Sequence, residues 1–314
     1  MAEELHVVRN QKDTVFRMLF REKKELLELY NALNNSAYHS TKDLIIFTLE
    51  NAIYMNFKND ISFLLDSELN LYEHQASYNP NMPLRDLVYI AKQLEKYMRD
   101  ESIYSSTLVK IPMPRFVVFY NGTDRQPEKQ ILRLSDAFEK ETAEPELELK
   151  VLMLNINFGH NQELMDKCRT LKEYSQYVDR VRKYARVMRI EEAVERAVTE
   201  CIREGILADF LSSQRAEVIA VSIFEYNEEE EMRKIRESEY KSGKEDGIAQ
   251  GIACGEAEAI ISLIRKKSQK GLDINEIADI LELDVCYVKK ALALLSENPD
   301  KTDMQVAELI IGQV

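Results

Sequence analysis

The 314-residue sequence predicts an α/β domain followed by an all-helical region. In the first half, amphipathic helical periods alternate with short apolar runs that are β-branched or aromatic and bounded by turn residues. After Gly159 the periods become helical almost without interruption. Because the chain is longer than one hydrophobic core usually organises, we expect three segments. These are an α/β domain at residues 1–158, a helical domain with an acidic connector at 159–242, and a C-terminal segment at 243–314.

The elements of the first domain follow from residue spacing. An amphipathic helix is predicted from Lys12 to Asn34. Strands are predicted at Ile61–Leu65, Leu69–Tyr72, Phe116–Tyr120 and Val151–Ile156. Pro83 suits the first position of a second helix. Its predicted apolar face comprises Leu84, Leu87, Val88, Ala91, Leu94 and Met98. The order helix, hairpin, helix, strand, strand is that of an α/β domain.

The first two strands are predicted to form a hairpin. The segment from Asp66 to Leu69 supplies turn residues, and Asp66 suits the first position of a type I turn. We therefore expect Leu65 to pair with Asn70 across a four-residue loop. A slip of one residue in this register would move each side chain to the opposite face of the sheet.

Four polar residues share one face in this register. Ser62 lies opposite Glu73, and Asp60 lies opposite Gln75, while His74 points to the other face. Facing residues in a hairpin project on the same side. Carboxylates that converge on one point are the ligands that a hard cation needs. Taken alone, however, an Asp and a Glu at strand ends are most often ordinary surface carboxylates.

The stretch from Lys58 to Ala91 contains three recognisable blocks, NDISF, YEHQ and NPNMPLR. It resembles the core motif of the recombination-promoting nuclease and transposase family, within the PD-(D/E)xK nuclease superfamily. The likeness extends more loosely from Asp13 through the run FVVFYNG and into the glycine-spaced tail. The resemblance implies a restriction-endonuclease-like mixed sheet flanked by helices. It also implies a metal-dependent DNA endonuclease.

The resemblance assigns roles to residues of this chain. Asp60 and Glu73 would be metal ligands for Mg²⁺, or for Mn²⁺ or Ca²⁺. Gln75 would complete the catalytic core, although it stands where the superfamily name places lysine. That departure removes a cation that orients water or stabilises phosphate charge. Lys92 and Lys96 are candidates for a replacement charge, but solvated helix positions are the more common interpretation of such lysines.

Two further residues are weaker site candidates. Glu25, in the first helix, would supply the additional helix-borne acid that often completes such sites in the superfamily. An ordinary polar helix face explains it equally well. Arg85 falls in the first turn after Pro83, where backbone N–H groups favour anions, so it is a candidate for binding a DNA phosphate. An ion pair with a local carboxylate is the alternative.

Composition limits the partners and the compartment. The formal net charge of -13 argues against long-range attraction of nucleic acid, so any contact with DNA must be local. No secretory signal and no run of about 20 apolar residues is apparent, so we expect a cytoplasmic protein without a membrane span. The four cysteines lack metal-ligand spacing and are expected to be reduced structural thiols. The acidic stretch Glu225 to Glu239 is expected to be a solvated helical connector.

The C-terminal segment carries two patterns. Glycines recur every four residues at 243, 247, 251 and 255 and would form a smooth stripe on a helix. This stripe favours a homo-oligomer, with a loosely helical linker as the alternative. The segment from Ile274 to Leu294 has helix-turn-helix spacing, with Asp273 as a cap. Two packed helices without a DNA role explain that spacing at least as well.

The predicted function is therefore a metal-dependent endodeoxyribonuclease associated with recombination or transposition, with DNA as its partner. A rival hypothesis is a catalytically weak nuclease fold that acts as a DNA-binding or oligomeric interaction module, in phage defence for example. The glutamine at position 75 and the acidic net charge both favour that rival. A third hypothesis is a regulatory or defence protein whose cutting is switched on by a partner.

Overall fold

The computed structural model describes residues 14–47, 60–99 and 102–311. The chain divides into two compact units, residues 1–230 and 231–314. Within the described residues, the first unit contains a mixed sheet with helices and the second is helical. The expected general class, an α/β part followed by a helical C-terminal region, is confirmed. The boundary predicted at residue 158 lies inside the first unit, and that at residue 242 lies inside the second.

Two helices precede the sheet where one was predicted. The span from Lys12 to Asn34 contains α1 (Val15–Phe20) and α2 (Lys23–Asn34), and its first two residues lie outside the described part of the chain. The side chain of Thr14 caps α1 by accepting a backbone N–H of the first turn at 3.2 Å. Glu22 has an extended backbone, with φ -72° and ψ 123°, and this conformation separates the two helices.

Among the described residues, six strands form one mixed sheet in the order β1-β2-β3-β4-β6-β5. Their bounds are β1 Ile45–Ile46, β2 Ile61–Leu65, β3 Glu68–Gln75, β4 Met113–Tyr120, β5 Lys129–Arg133 and β6 Lys150–Asn155. β3, β4 and β6 are parallel, and the other neighbours are antiparallel. The four predicted strands are confirmed as β2, β3, β4 and β6.

The hairpin of β2 and β3 closes through a tighter turn than expected. Leu65 pairs with Glu68, so the loop is the two-residue turn Asp66-Ser67. Both turn residues have positive φ, 51° and 61°, as a type I′ turn requires, and the twist of that turn matches the twist of the strands. The predicted pairing of Leu65 with Asn70 is therefore wrong by two residues. A shift of two keeps each side chain on its predicted face.

Each face of the sheet packs on a separate core. On one face, β3 contributes Tyr72 to a cluster that includes α1, α2 and the later helix α5 (Arg169–Ala185). On the other face, β3 contributes Leu71 to a cluster that includes α3 (Met82–Tyr97). Strand residues alternate between the faces, so Glu73 lies on the same side as α3 and Leu71.

The buried side of α3 differs from the predicted apolar face. Leu84 is 49% exposed and Ala91 is also exposed, so their predicted burial is wrong. The buried residues are Met82, Pro83, Asp86, Tyr89, Ile90 and Gln93. Gln93 Nε2 donates to Ser62 Oγ at 2.7 Å, so the sheet offers a polar partner at this interface. The polar residues of α3 can therefore be buried because the sheet provides a polar partner for Gln93.

Further helices follow the sheet in the first unit. They are α4 (Gln162–Lys167), α5, α6 (Ile190–Glu204), α7 (Ala208–Ser213) and α8 (Arg215–Gln269), which continues into the second unit. By length and composition, one helix of the described residues, α8, is apolar enough to cross a membrane; a single helix of this kind is a weak indication. The four cysteines are free, and Cys168 and Cys201 are buried.

The second unit has its own core. Its later helices are α9 (Ile274–Leu281), α10 (Val285–Glu297) and α11 (Asp303–Ile311). The predicted cap is confirmed, since the Asp273 carboxylate accepts two backbone N–H groups of α9 and Glu276 bonds back to the Asp273 N–H at 2.8 Å. Ile277 and Val288 are fully buried, as the packed-helix spacing predicts. A DNA-binding role for these helices stays a prediction.

Candidate active site

The structure brings Asp60 and Glu73 together at the end of the hairpin away from its turn. The backbone N–H of Asp60 donates to Glu73 Oε1 at 3.1 Å, and the backbone N–H of His74 donates to Asp60 Oδ2 at 2.8 Å. The pairing of Ile61 with Tyr72 places the two acids opposite each other. The hairpin register therefore fixes both carboxylates with main-chain hydrogen bonds.

An arginine lies beside each of these acids. Arg85 Nη2 lies 3.8 Å from Glu73 Oε2, and Arg17 Nε lies 3.9 Å from Asp60 Oδ1. Arg85 Nη2 also donates to Tyr89 Oη at 3.1 Å, which holds the guanidinium over the first turns of α3. The two arginines reach the site from different helices, α1 and α3. They offset part of the negative charge that the two carboxylates place there.

A third acid, Asp86, lies on the same side of the sheet, and one of its carboxylate oxygens lacks a hydrogen-bond partner among the described residues. Asp86 is 1% exposed, and its Oδ1 has no hydrogen-bond partner among the described residues. Burial raises the pKa of Asp86 to about 7, although Arg85 opposes the shift. Glu73, at 2% exposed, has its pKa raised well above the usual range by burial and then by Asp60 and Asp86. The site is short of positive charge.

His74 supports the strand from the opposite face of the sheet. Its ring stacks on Phe16 at 4.8 Å between centroids, and its Nε2 lies 2.9 Å from Tyr174 Oη. Asn121 Nδ2 donates to the same Tyr174 Oη at 3.0 Å. Burial, and next the charge of Arg182, lowers the pKa of His74 to about 3, so the imidazole is neutral at physiological pH. His74 therefore positions β3 and carries no charge.

Gln75 lies at the end of β3, on the face that carries Glu73. Its side chain is half-buried, and its backbone carbonyl accepts the Asn121 N–H at 3.0 Å. Lys96 is engaged elsewhere, with its Nζ 4.5 Å from the centre of the Phe47 ring. The positive charge beside Glu73 is therefore that of Arg85, in the first turn of α3.

Glu25 lies in the first turn of α2, half-buried. Among the described residues, no hydrogen bond or ion pair joins it to Asp60 or Glu73. A different helix acid lies nearer the site. Glu225 Oε2 accepts the Val15 N–H at 3.3 Å, and burial, with smaller effects of neighbouring charges that include Asp60, raises its pKa to about 8. The first residue of the expected solvated connector is thus half-buried and bonded to α1.

The residues at the site suit a hard cation. Asp60 and Glu73 present four carboxylate oxygens at one place, and the unsatisfied oxygen of Asp86 lies within electrostatic reach of Glu73. Across the described residues, no group of three or more His, Cys, Asp or Glu side chains is arranged to hold a metal. Asp60 and Glu73 are therefore a neighbouring pair of carboxylates at this end of the hairpin.

Sequence reasoning missed two residues of the site, Arg17 and Asp86. A signal for each is present in the sequence. Arg17 interrupts the apolar helix VFRMLF, and Asp86 lies four residues after Met82 on a buried helix period. A charged residue at a buried helical position usually has a partner or a function.

Comparison of the chain with family models, with curated proteins and with solved structures gives no match. The chemistry that the site supports follows from its residues. Paired carboxylates suit a hard cation, and the adjacent arginines suit an anionic group.

Proposed function

We propose that the chain is a metal-dependent endodeoxyribonuclease of the PD-(D/E)xK type that acts in recombination or transposition. The observation that carries the proposal is a pair of hydrogen bonds across the hairpin, from the Asp60 N–H to Glu73 and from the His74 N–H to Asp60, which place two carboxylates at one end of it. The mixed sheet with helices on both faces supports it, because the resemblance of residues 58–91 implies that arrangement.

Each residue has a separate role in the proposed reaction. Asp60 and Glu73 would hold the cation, and the hydrogen bonds that they accept from main-chain N–H groups keep the carboxylates in place. Arg85, in the first turn of α3, attracts a DNA phosphate and balances Glu73. Gln75 orients water or a phosphate oxygen through its amide. Mg²⁺, when bound, supplies Lewis acidity and neutralises charge that develops on the phosphate.

The first prediction tests this site by plasmid nicking. The full-length protein is assayed with Mg²⁺, Mn²⁺ or Ca²⁺ and with a chelator. Asp60→Asn and Glu73→Gln should each abolish most metal-dependent cutting, because a hard cation loses one of its two anchoring carboxylates. The double variant should lose little more, since the two residues act as one unit.

Matched controls separate this effect from a general loss of acidic charge. Asp136→Asn and Glu95→Gln remove exposed carboxylates and should cut like the parent. Circular dichroism should show that all variants are folded. Parental cutting by both Asp60→Asn and Glu73→Gln in clean preparations would contradict the site assignment.

A second candidate function is an interaction module built on a weak nuclease fold. Two observations favour it: position 75 carries no cation, and Glu73 is 2% exposed. In that case the protein binds DNA or itself, and the parent does not cut with any of the three metals. If the parent binds a DNA duplex in a mobility-shift assay but never nicks it, the interaction-module hypothesis replaces the enzyme hypothesis.

A further inference from the structure

A polar cavity of about 350 Å³ opens at the carboxyl ends of β4 and β6, within the first unit. Ligands of open α/β sheets commonly bind outside the carboxyl ends of parallel strands. The cavity lies on the α5 side of the sheet, whereas Glu73 lies on the α3 side. It is therefore a separate feature from the proposed metal site.

The floor of the cavity is rigid. Asn155 Oδ1 accepts both the backbone and the side-chain N–H of Asn157, at 3.1 Å and 2.9 Å. Asn157 Nδ2 donates to the Gly122 carbonyl at 3.0 Å. A Cβ at Gly122 would lie 2.2 Å from the Ala76 carbonyl oxygen, so glycine permits the close approach of this loop to β3. A cavity that is already formed lowers the ordering cost of binding.

The cationic side chains at the wall exceed the acidic ones. The cavity is lined by Arg125, Arg182, Lys183 and Arg186 against Asp124 and Asp179. Arg182 pairs with Glu229 at 3.2 Å, and Lys183 pairs with Asp179 at 2.6 Å.

The other two cationic residues of the wall are Arg125 and Arg186. Neither makes a side-chain hydrogen bond or an ion pair with another described residue. Two uncommitted guanidinium groups at one cavity suit a phosphate, which each can bind in a bidentate manner.

Two other lining residues suit a base. Phe158 is 52% exposed at the cavity; Lys183 Nζ lies over its ring, 5.6 Å from the centre, and the opposite face is the one proposed to stack on a base. Asn121 is buried, and its Oδ1 has no hydrogen-bond partner among the described residues while its Nδ2 bonds to Tyr174. An N–H donor of a ligand that reached this oxygen, such as that of a nucleobase, would satisfy it.

We propose that this cavity binds a nucleoside phosphate, with the phosphate at Arg125 and Arg186 and the base beside Phe158 and Asn121. The shared chemistry has two sources, a free nucleotide or the 5′-phosphorylated end of a strand. The inference does not depend on nuclease activity, because binding is measured in the presence of a chelator.

The test is isothermal titration calorimetry of the full-length protein in EDTA. The probes are AMP, dTMP, inorganic phosphate and a 5′-phosphorylated single-stranded dodecanucleotide. Nucleotides should bind more tightly than inorganic phosphate. Arg125→Gln and Arg186→Gln should each weaken binding about tenfold, since each removes a charge-assisted hydrogen bond. Phe158→Ala should weaken nucleotide binding but not phosphate binding.

Controls make the two proposals separable. Arg203→Gln removes an exposed arginine outside the cavity and should bind like the parent. Asp60→Asn should also bind like the parent even where it no longer cuts. Tighter binding of mononucleotides identifies a free nucleotide as the ligand, and tighter binding of the dodecanucleotide identifies a strand end. No saturation by any probe at millimolar concentration, equal binding of inorganic phosphate and nucleotides, or unchanged binding by both Arg125→Gln and Arg186→Gln would overturn the inference.

Discussion

Glu73 lies between two acids and one arginine in a nearly dry environment. Burial, Asp60 and Asp86 all raise its pKa, and Arg85 opposes them. A group in this position is neutral or paired in the absence of a further cation. The same surroundings strengthen the attraction of any cation that enters, because little water screens the charge.

The second prediction is that the ionisation of Asp86 makes the stability of the fold depend on pH. Its pKa is about 7 in the folded chain against an ordinary value of 3.8. The folded chain therefore retains a proton that the unfolded chain releases between these values. The contribution of Asp86 to the free energy of unfolding should fall as pH rises from about 4 to about 7, and then level off.

Asp86→Asn removes this loss because the amide resembles the protonated acid and does not titrate. At pH 8 the variant should be more stable than the parent by ~2–4 kcal/mol, and at pH 4 the two should be alike. Urea denaturation at both pH values measures the difference. Asp136→Asn, which changes an exposed acid and keeps Asp86, is the control, and its stability should match that of the parent at both pH values. A variant that is less stable than the parent at pH 8 would contradict the assignment.

The third prediction concerns the rate of nicking when Gln75 is changed. Gln75→Lys restores the cation that the superfamily name places there, on the face that carries Glu73. We expect faster Mg²⁺-dependent nicking, because a lysine at this position stabilises phosphate charge. Gln75→Met matches the length of the side chain without its charge and should not be faster than the parent. Equal rates for the lysine and methionine variants would show that position 75 does not act on the phosphate.

At the scale of elements, the turn between β2 and β3 contains strain that glycine would remove. Ser67 has φ 61°, a left-handed conformation that costs an L-residue roughly 1–2 kcal/mol. The fourth prediction is that Ser67→Gly raises the free energy of unfolding by about 0.5–1 kcal/mol, because glycine adopts this conformation freely but loses more chain entropy. Thermal denaturation measures the effect.

Ser67→Ala is the matched variant for this turn. It removes the same hydroxyl but keeps a Cβ in the left-handed conformation, so it should give no gain in stability. A gain of equal size in both variants would assign the effect to the hydroxyl and not to the backbone.

The sequence predicts the hairpin better than it predicts the face of α3. Alternation along β2 and β3 puts Asp60, Glu73 and Gln75 on one side even though the loop is shorter than expected. In α3 the hydropathy pattern fails because Asp86 and Gln93 are turned inward. Polar residues become buried when the opposing surface is polar, and one sequence does not show what opposes a helix. Burial of polar residues against the hydropathy pattern is typical of functional sites.

The short strands were also beyond sequence reasoning. β1 has two residues, and β5 is a five-residue edge strand in which Ile131 is exposed. Strand patterns need several alternating residues before they differ from a loop. Two-residue pairing at the edge of a sheet depends on the neighbouring strand and leaves little local signal.

At the scale of the whole molecule, α8 carries the glycine stripe that the sequence associates with self-association. The glycines at 243, 247, 251 and 255 lie on an exposed part of α8, and a Cβ at any of them would meet no described atom within 4 Å apart from its chain neighbours and the nearby helix backbone. Four glycines weaken a helix by roughly 1 kcal/mol each unless something compensates. Close approach of a second copy is the compensation that we propose.

The fifth prediction is that Gly251→Leu dissociates the homo-oligomer that we propose. The leucine fits within one chain, because no described atom lies near its Cβ, but it would hold two helices apart. Ala249→Leu adds the same bulk about half a helical turn away and should leave the oligomer intact. Light scattering after size-exclusion chromatography measures the mass. A parent that is monomeric at all concentrations, or a leucine at 251 without effect, would favour the linker hypothesis.

His74 serves both faces of the sheet through different parts of one residue. Its main-chain N–H holds the Asp60 carboxylate, and its imidazole lies on the other face against Phe16 and Tyr174. Replacing the side chain with alanine leaves the N–H in place, so alanine scanning would classify His74 as a core residue. The contribution of this position to Asp60 would become visible only when the amide itself is changed, for example by an ester at the His74 nitrogen.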